Sequence, residues 1–144
     1  MSLLTAIDIG ATGLTAQRVR IEVLVNNLVN SNSTQAAGGS PYRRRDVIFR
    51  AVPLEPEFGR SLNEAMTAAQ GVEIVGVMTD HSEPMRRYEP GHPHADKDGY
   101  VLYPNINPME ELVNMLSATR SYEANLQMVN SVKDMAYKTL EILR

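Results

Sequence analysis

The 144-residue sequence predicts an α+β fold. In it, long N- and C-terminal helices pair as an antiparallel, coiled-coil-like hairpin, with a small β-domain inserted between them. Three observations predict this. Each end of the chain carries an apolar heptad seam, the spacing that puts apolar residues on one helix face. The middle holds short β-branched and aromatic clusters punctuated by proline and glycine. The C-terminal periodic run, residues 108–143, would form a helix about 54 Å long at ~1.5 Å per residue, more than a domain this small needs for its own core. The expected division is residues 1–30 as the N-terminal helix, 31–41 as a mobile linker, 42–104 as the β-rich domain and 105–144 as the C-terminal helix.

In the first helix, Leu4, Ile7, Ala11, Leu14, Arg18, Ile21, Val25 and Leu28 follow alternating steps of three and four, and only Arg18 breaks the stripe. Gly10 and Gly13 each weaken the helix by about 1 kcal/mol relative to alanine, so the segment needs a partner to stay helical. Asn26, Asn27, Asn30 and Asn32 cluster where it ends, and capping and turn formation explain Asn30 and Asn32. The Asn-, Ser-, Thr- and Gly-rich stretch that follows reads as a connector. Strands are expected around Val47–Phe49, within Tyr42–Val52; over Val72, Ile74, Val75 and Val77; at Met85–Tyr88; and at Tyr100–Tyr103. Ser61-Leu62-Asn63-Glu64 has the form of a capping box, predicting a short helix that ends near Gly71.

The last helix has a clear start. Asn107 can cap it, Pro108 suits its first position, and Glu110 stands where a capping box needs it. Glu110 and Glu111 favour the positive end of the helix dipole, and Lys138 and Arg144 the negative end. Its seam reads Leu112, Met115, Thr119, Tyr122, Leu126, Val129, Lys133, Ala136, Leu140 and Leu143, interrupted by Thr119 and Lys133. Asn114, Asn125 and Asn130 lie mid-helix, where asparagine is disfavoured. They are either solvated or bonded across a helix interface, where an amide fixes register. The eight methionines read as core filler by default, with adaptable interfaces as the alternative.

Composition removes several classes of function. The formal charge is −3 and the isoelectric point about 5.6, so no nucleic-acid partner is expected. The one basic cluster, Arg43 to Arg45, reads as a solvated strand end, or as a contact with an acidic neighbour. The absence of cysteine excludes disulfides, zinc-thiolate sites and cysteine nucleophiles. No apolar run exceeds four residues, against about 18 for a membrane helix, so no membrane span is expected. The opening residues have no basic region, and Asp8 interrupts the apolar stretch, so no cleavable secretory signal is expected.

Two motifs could carry chemistry. Asp8-Ile9-Gly10-Ala11-Thr12 matches a phosphate-binding turn of sugar kinases and actin-like ATPases. That fold needs two duplicated lobes, and the heptad seam runs straight through the motif. His92-Pro93-His94-Ala95-Asp96 matches the start of a metallo-hydrolase signature, but Lys97 replaces its last histidine and His81 is the only other imidazole. The simpler reading is a proline-rich surface turn; the alternative is a small metal-dependent hydrolase using His92, His94 and Asp96. No catalytic residues, cofactor or metal are assigned.

Longer patterns resemble a known family. Asp8-Ile9-x-Ala11-x-Gly13-Leu14-x-Ala16-Gln17-x-x-Arg20, then Asn26-Asn27-Leu28-Val29-Asn30-x-Asn32-x-Thr34, are similar to the N-terminal signature of flagellar rod, hook and hook-associated axial proteins. So are Gly39-x-Pro41-Tyr42-Arg43-Arg44 and Tyr88-x-Pro90-Gly91-His92-Pro93-x-Ala95-Asp96-x-x-Gly99-Tyr100-Val101. Pro104-Asn105-Ile106-Asn107, Glu110-Glu111-Leu112-Val113-x-Met115 and Arg120-x-Tyr122-Glu123-Ala124-Asn125 complete the match. Val25, Val29, Ser31 and Ser33 depart from the family's usual serine and alanine spacing, and residues 53–71 carry no family signature. A sister subunit of the rod or hook, the nearest alternative, would lack the Pro90–Val101 block.

The resemblance implies a structural subunit of the flagellar basal-body rod, which crosses the periplasm, and not an enzyme. It implies helical assembly with copies of itself and other rod proteins, and transmission of torque from rotor to hook. It also implies contact with a rod-to-ring adaptor, and export in unfolded form by the flagellar type III apparatus. The expected subunit-interface residues are Leu14, Ile21, Leu28, Leu112, Tyr122, Leu126, Val129 and Leu140, with the amides Asn27, Asn30 and Asn125.

Overall fold

The computed structural model describes residues 3–35, 39–54 and 69–142. Helix α1 runs Leu3–Val29, and strands β1 to β4 run Arg45–Pro53, Gln70–Thr79, Met85–Tyr88 and Tyr100–Tyr103. Helix α2 runs Pro108–Ile142. The chain is therefore α+β: two long helices and two small antiparallel sheets, β1 with β2 and β3 with β4.

Local chemistry accounts for these boundaries. Asn107 Oδ1 accepts the Met109 N–H at 3.1 Å and its carbonyl accepts the Glu111 N–H at 3.1 Å, so Asn107 caps α2 and Pro108 occupies the first turn. The end of α1 closes through Asn30 N to Asn26 O at 3.1 Å and Ser31 N to Leu28 O at 3.2 Å. β3 and β4 pair in the register Met85↔Tyr103, Arg86↔Leu102, Arg87↔Val101 and Tyr88↔Tyr100. In the turn between them, Asp96 Oδ1 accepts the Asp98 and Tyr100 N–H groups at 2.9 and 2.8 Å. Gly99 takes a φ of 81°, the left-handed region that side chains disfavour.

The helix expected from the capping box falls on residues 61–68, outside the described residues. Gly71 itself lies in β2. The β-branched run Val72 to Val77 extends the strand back to Gln70.

The chain divides into two compact units: residues 1–19, 48–76 and 118–144 in one, residues 20–47 and 77–117 in the other. In the first unit, Ala16, Ala118 and Val132 are buried. A Cβ built on Gly10 would collide with Val129 Cγ2 and lie 2.7 Å from Met128 Cε; one on Gly13 would lie 2.8 Å from Asn125 Nδ2. Glycine at these two positions thus lets the α1 backbone approach α2. Thr12 Oγ1 donates to Ile9 O at 2.8 Å and accepts the Val72 N–H at 3.2 Å, which ties α1 to β2. In the second unit, Leu24, Val101 and Ile106 are buried, as are Pro41 and Pro104, with Asn27, Ser31 and Glu111.

The buried rows are not the apolar seams. On α1 the buried residues are Gly10, Ala16, Leu24 and Asn27, whereas Leu4, Ala11, Arg18 and Val25 of the seam are exposed and Ile7, Leu14, Ile21 and Leu28 only half-buried. On α2 one row is displaced by a single residue. Glu111, Ala118 and Val132 are buried in place of Leu112, Thr119 and Lys133, while Met115, Tyr122, Val129 and Ala136 are half-buried as members of either seam. Thr119 and Lys133 interrupt the apolar row because it is not the row this chain buries. The reading of the methionines as core filler is likewise corrected: Met78, Met85, Met109, Met128 and Met135 are exposed.

Candidate assembly interface

The end of α1, the start of β1 and the first turn of α2 meet in a buried polar cluster within the second unit. Asn27 is fully buried (0% exposed) and Glu111 nearly so (2%). Asn27 Nδ2 donates to Arg45 O at 2.8 Å and to Glu111 Oε2 at 3.0 Å. Its Oδ1 accepts the Arg45 N–H at 2.9 Å and the Tyr42 hydroxyl at 3.1 Å. Two donors and two acceptors exhaust what an amide side chain offers. Arg44 Nε donates to Glu111 Oε1 at 2.7 Å, and Arg44 Nη1 to Asp46 Oδ2 at 3.3 Å. Burial raises the Tyr42 phenol above its ordinary pKa; Arg45 opposes that and Glu111 adds to it. Burial also works against the charge on Arg44, but hydrogen bonds and charges from Glu111 and Asp46 outweigh it and hold the guanidinium above its usual pKa.

This cluster changes two sequence expectations. Glu111, expected only to complement the helix dipole, is the buried acceptor of an ion pair. Arg44 is not a solvated strand end. Arg43 does lie at the surface, with Nη1 3.1 Å from His81 Nδ1. The sequence signal was the coincidence of a mid-cluster arginine and two adjacent glutamates, which nothing local connects across 67 residues.

The expected interface residues divide into groups. Asn27 is corrected: every bond its amide can make is made inside the chain, which leaves nothing for a neighbour. Asn30 Nδ2 donates to Asn26 O at 2.8 Å, and its Oδ1 accepts the Ser33 hydroxyl at 3.2 Å, a helix-end role. Asn125 faces Gly13. Leu14, Ile21, Leu28, Leu112, Tyr122 and Val129 are half-buried. Leu126 and Leu140 are 43% and 64% exposed. A second exposed row on α2, Met109, Val113 and Leu116, was not among the expected residues, although its helical spacing was readable.

His92, His94 and Asp96 serve the β3–β4 turn. His92 Nδ1 accepts the His94 N–H at 3.1 Å, His94 Nδ1 lies 2.9 Å from Thr34 Oγ1, and Asp96 Oδ2 is 3.6 Å from Arg86 Nη2. Among the described residues, no group of three or more His, Cys, Asp or Glu side chains could hold a metal ion.

Residues 97–142 match the family model described as the flagellar basal body rod FlgEFG protein C-terminal. Curated relatives match along the whole chain. The flagellar basal-body rod protein FlgC of Borreliella burgdorferi is 40% identical over 151 residues, covering 100% of this chain and 99% of the relative. FlgC of Escherichia coli O6:H1 is 40% identical over 143 residues, covering 99% and 98%. FlgC of Bacillus subtilis is 38% identical over 150 residues, covering 99% of each.

The chain belongs to the FlgC family of flagellar basal-body rod proteins.

As a FlgC-family member it is a structural subunit of the rod, located in the flagellar basal body, and not an enzyme. That membership overturns the metal-hydrolase alternative for His92, His94 and Asp96. Among the described residues, no helix is long and apolar enough to cross a membrane.

Proposed function

We propose that this FlgC-family chain assembles helically with copies of itself and with other rod proteins, and that the assembly passes torque from rotor to hook. In this reading α1 and α2 pair as an antiparallel hairpin, with residues 42–104 as a β-rich domain at its tip. The observation that carries the proposal is the exposed apolar row: among the described residues Val25, Leu126 and Leu140 are 39%, 43% and 64% exposed, although they belong to long heptad seams. Burying such side chains is worth about 1.5–3 kcal/mol each, and neighbouring subunits supply the surface. Leu14, Ile21, Leu28, Leu112, Tyr122 and Val129, half-buried beside that row, complete the interface; Asn30 and Asn125 border it. Torque then passes through many interdigitated helices without covalent links. The rod-to-ring adaptor and the type III export apparatus are the further partners in this reading.

Deleting the gene in the native host, scoring swimming and imaging basal bodies by electron cryotomography tests this. The expected result is rotor rings without a complete rod, restored by the wild-type gene. Intact, rotating flagella in the deletion strain would refute it.

A further inference from the structure

We propose that the Asn27–Arg44–Glu111 cluster is a register latch: it selects which turn of α2 faces which turn of α1, and contributes little net stability. The inference rests on the hairpin reading above.

Heptad spacing cannot set this register alone. The buried row of α2, Glu111, Ala118 and Val132, recurs at multiples of seven residues, so sliding one helix past the other by seven brings heptad positions back onto heptad positions. Three contacts break that degeneracy: Gly10 against Val129 and Gly13 against Asn125 in the first unit, and the Asn27–Glu111 hydrogen bond in the second. Asn27 follows Gly13 by two heptads and Glu111 precedes Asn125 by two heptads, so the Gly13–Asn125 and Asn27–Glu111 pairs belong to one antiparallel offset. A heptad slip in one direction sets Arg20 opposite Glu111. A slip in the other sets Asn27 opposite Ala118. Either leaves buried polar groups without the partners they now have.

The latch also demands three distant segments at once. Asn27 lies at the end of α1, Arg44 just before β1 and Glu111 in the first turn of α2. Its bonds are saturated only when all three are in place, and a partly satisfied buried network is worse than an apolar one. A buried ion pair gains little net stability, because desolvation offsets its attraction, and exchange for apolar residues is often neutral. Removing one partner alone is costly, because the other charge stays buried and unpaired. The value of the cluster therefore lies in the arrangements it excludes.

The test uses the full-length chain, whose lack of cysteine makes crosslinks unambiguous. Ile9→Cys with Val129→Cys, at the same antiparallel offset as Gly13 and Asn125, reports the native register; Ile9→Cys with Tyr122→Cys, or with Ala136→Cys, reports a heptad slip in either direction. Glu111→Met alone is expected to lower the unfolding midpoint by about 5–10 °C, the range for a lost partner of a partly exposed arginine. The double variant Arg44→Met, Glu111→Met, which keeps Asn27 on the Arg45 backbone and the Tyr42 hydroxyl, is expected to recover most of that loss. It should nevertheless divide its crosslinks between native and slipped pairs, and fail to restore swimming to the deletion strain. A double variant that forms only the native crosslink, or that restores swimming, overturns the latch. So does one that remains as unstable as Glu111→Met, since the cluster would then be an ordinary stabiliser. Absence of the 9–129 crosslink in the otherwise unaltered chain would instead sink the hairpin itself.

Discussion

A single hydroxyl illustrates how much one residue carries here. Tyr42 supplies one of the two hydrogen bonds to Asn27 Oδ1, and burial raises its pKa. A group whose pKa is higher folded than unfolded contributes stability that is present below the ordinary phenol value, about 10, and is lost as the pH rises through the folded value. Tyr42→Phe is expected to cost about 0.5–1.5 kcal/mol near neutral pH. The variant should also lose stability less steeply than the parent above pH ~10. Parallel urea titrations of both proteins across that range check the sign. Gly99 makes a second point at this scale. Its φ is 81°, and an added Cβ would lie 2.9 Å from Tyr88 Cε2 and 3.2 Å from Pro90 Cβ. Gly99→Ala therefore combines backbone strain of roughly 1–2 kcal/mol with a collision in the β3–β4 turn, and a lowered unfolding midpoint is the expected readout.

Among the elements, α2 has the best-defined beginning. Asn107 satisfies the Met109 N–H through its side chain, so Asn107→Ala is expected to cost about 0.5–2 kcal/mol, as loss of an N-cap does. Amide exchange should report the change first in the opening turn of α2. The β1–β2 ribbon behaves differently. Its Arg50–Glu73 pair, 2.6 Å apart, is exposed on both sides, and an exposed pair contributes about 0–1 kcal/mol. Arg50→Ala should leave the unfolding midpoint within the change that figure allows. The contrast with Arg44 is one of burial, since both arginines contact a glutamate at bonding distance.

For the molecule as a whole, the proposed assembly draws on a different face of the helices from the one the chain itself buries. Leu126 is 43% exposed in the chain by itself, so Leu126→Asp is expected to leave the helix content of the purified monomer unchanged. In an assembled rod the same carboxylate would be buried without a partner, a cost of several kcal/mol per copy. The variant should therefore be made and fold, yet fail to restore swimming to a strain lacking the gene. Wild-type swimming would show that this row is not the one neighbouring subunits cover. A monomer that fails to fold would show that the row belongs to the chain's own core.

The elements were legible in the sequence because their signals are local. Pro108 behind a capping Asn107 starts α2, the β-branched clusters mark β1 and β2, and the hairpin strands at Met85–Tyr88 and Tyr100–Tyr103 stand where turn residues bracket them. The family motifs from Asp8 to Asn125 were equally legible. Which helix face turns inward was not. Hydrophobic periodicity finds the most apolar row, and among the described residues that row is only partly buried by the chain's own contacts. The chain's own contacts use Gly10, Gly13, Ala16 and Ala118, whose small size permits close approach, together with a saturated polar cluster. Nothing in the order of residues along the chain joins Asn27, Arg44 and Glu111. Only the tertiary structure brings them together, because the desolvation that makes their bonds obligatory exists only once the surrounding chain has excluded water.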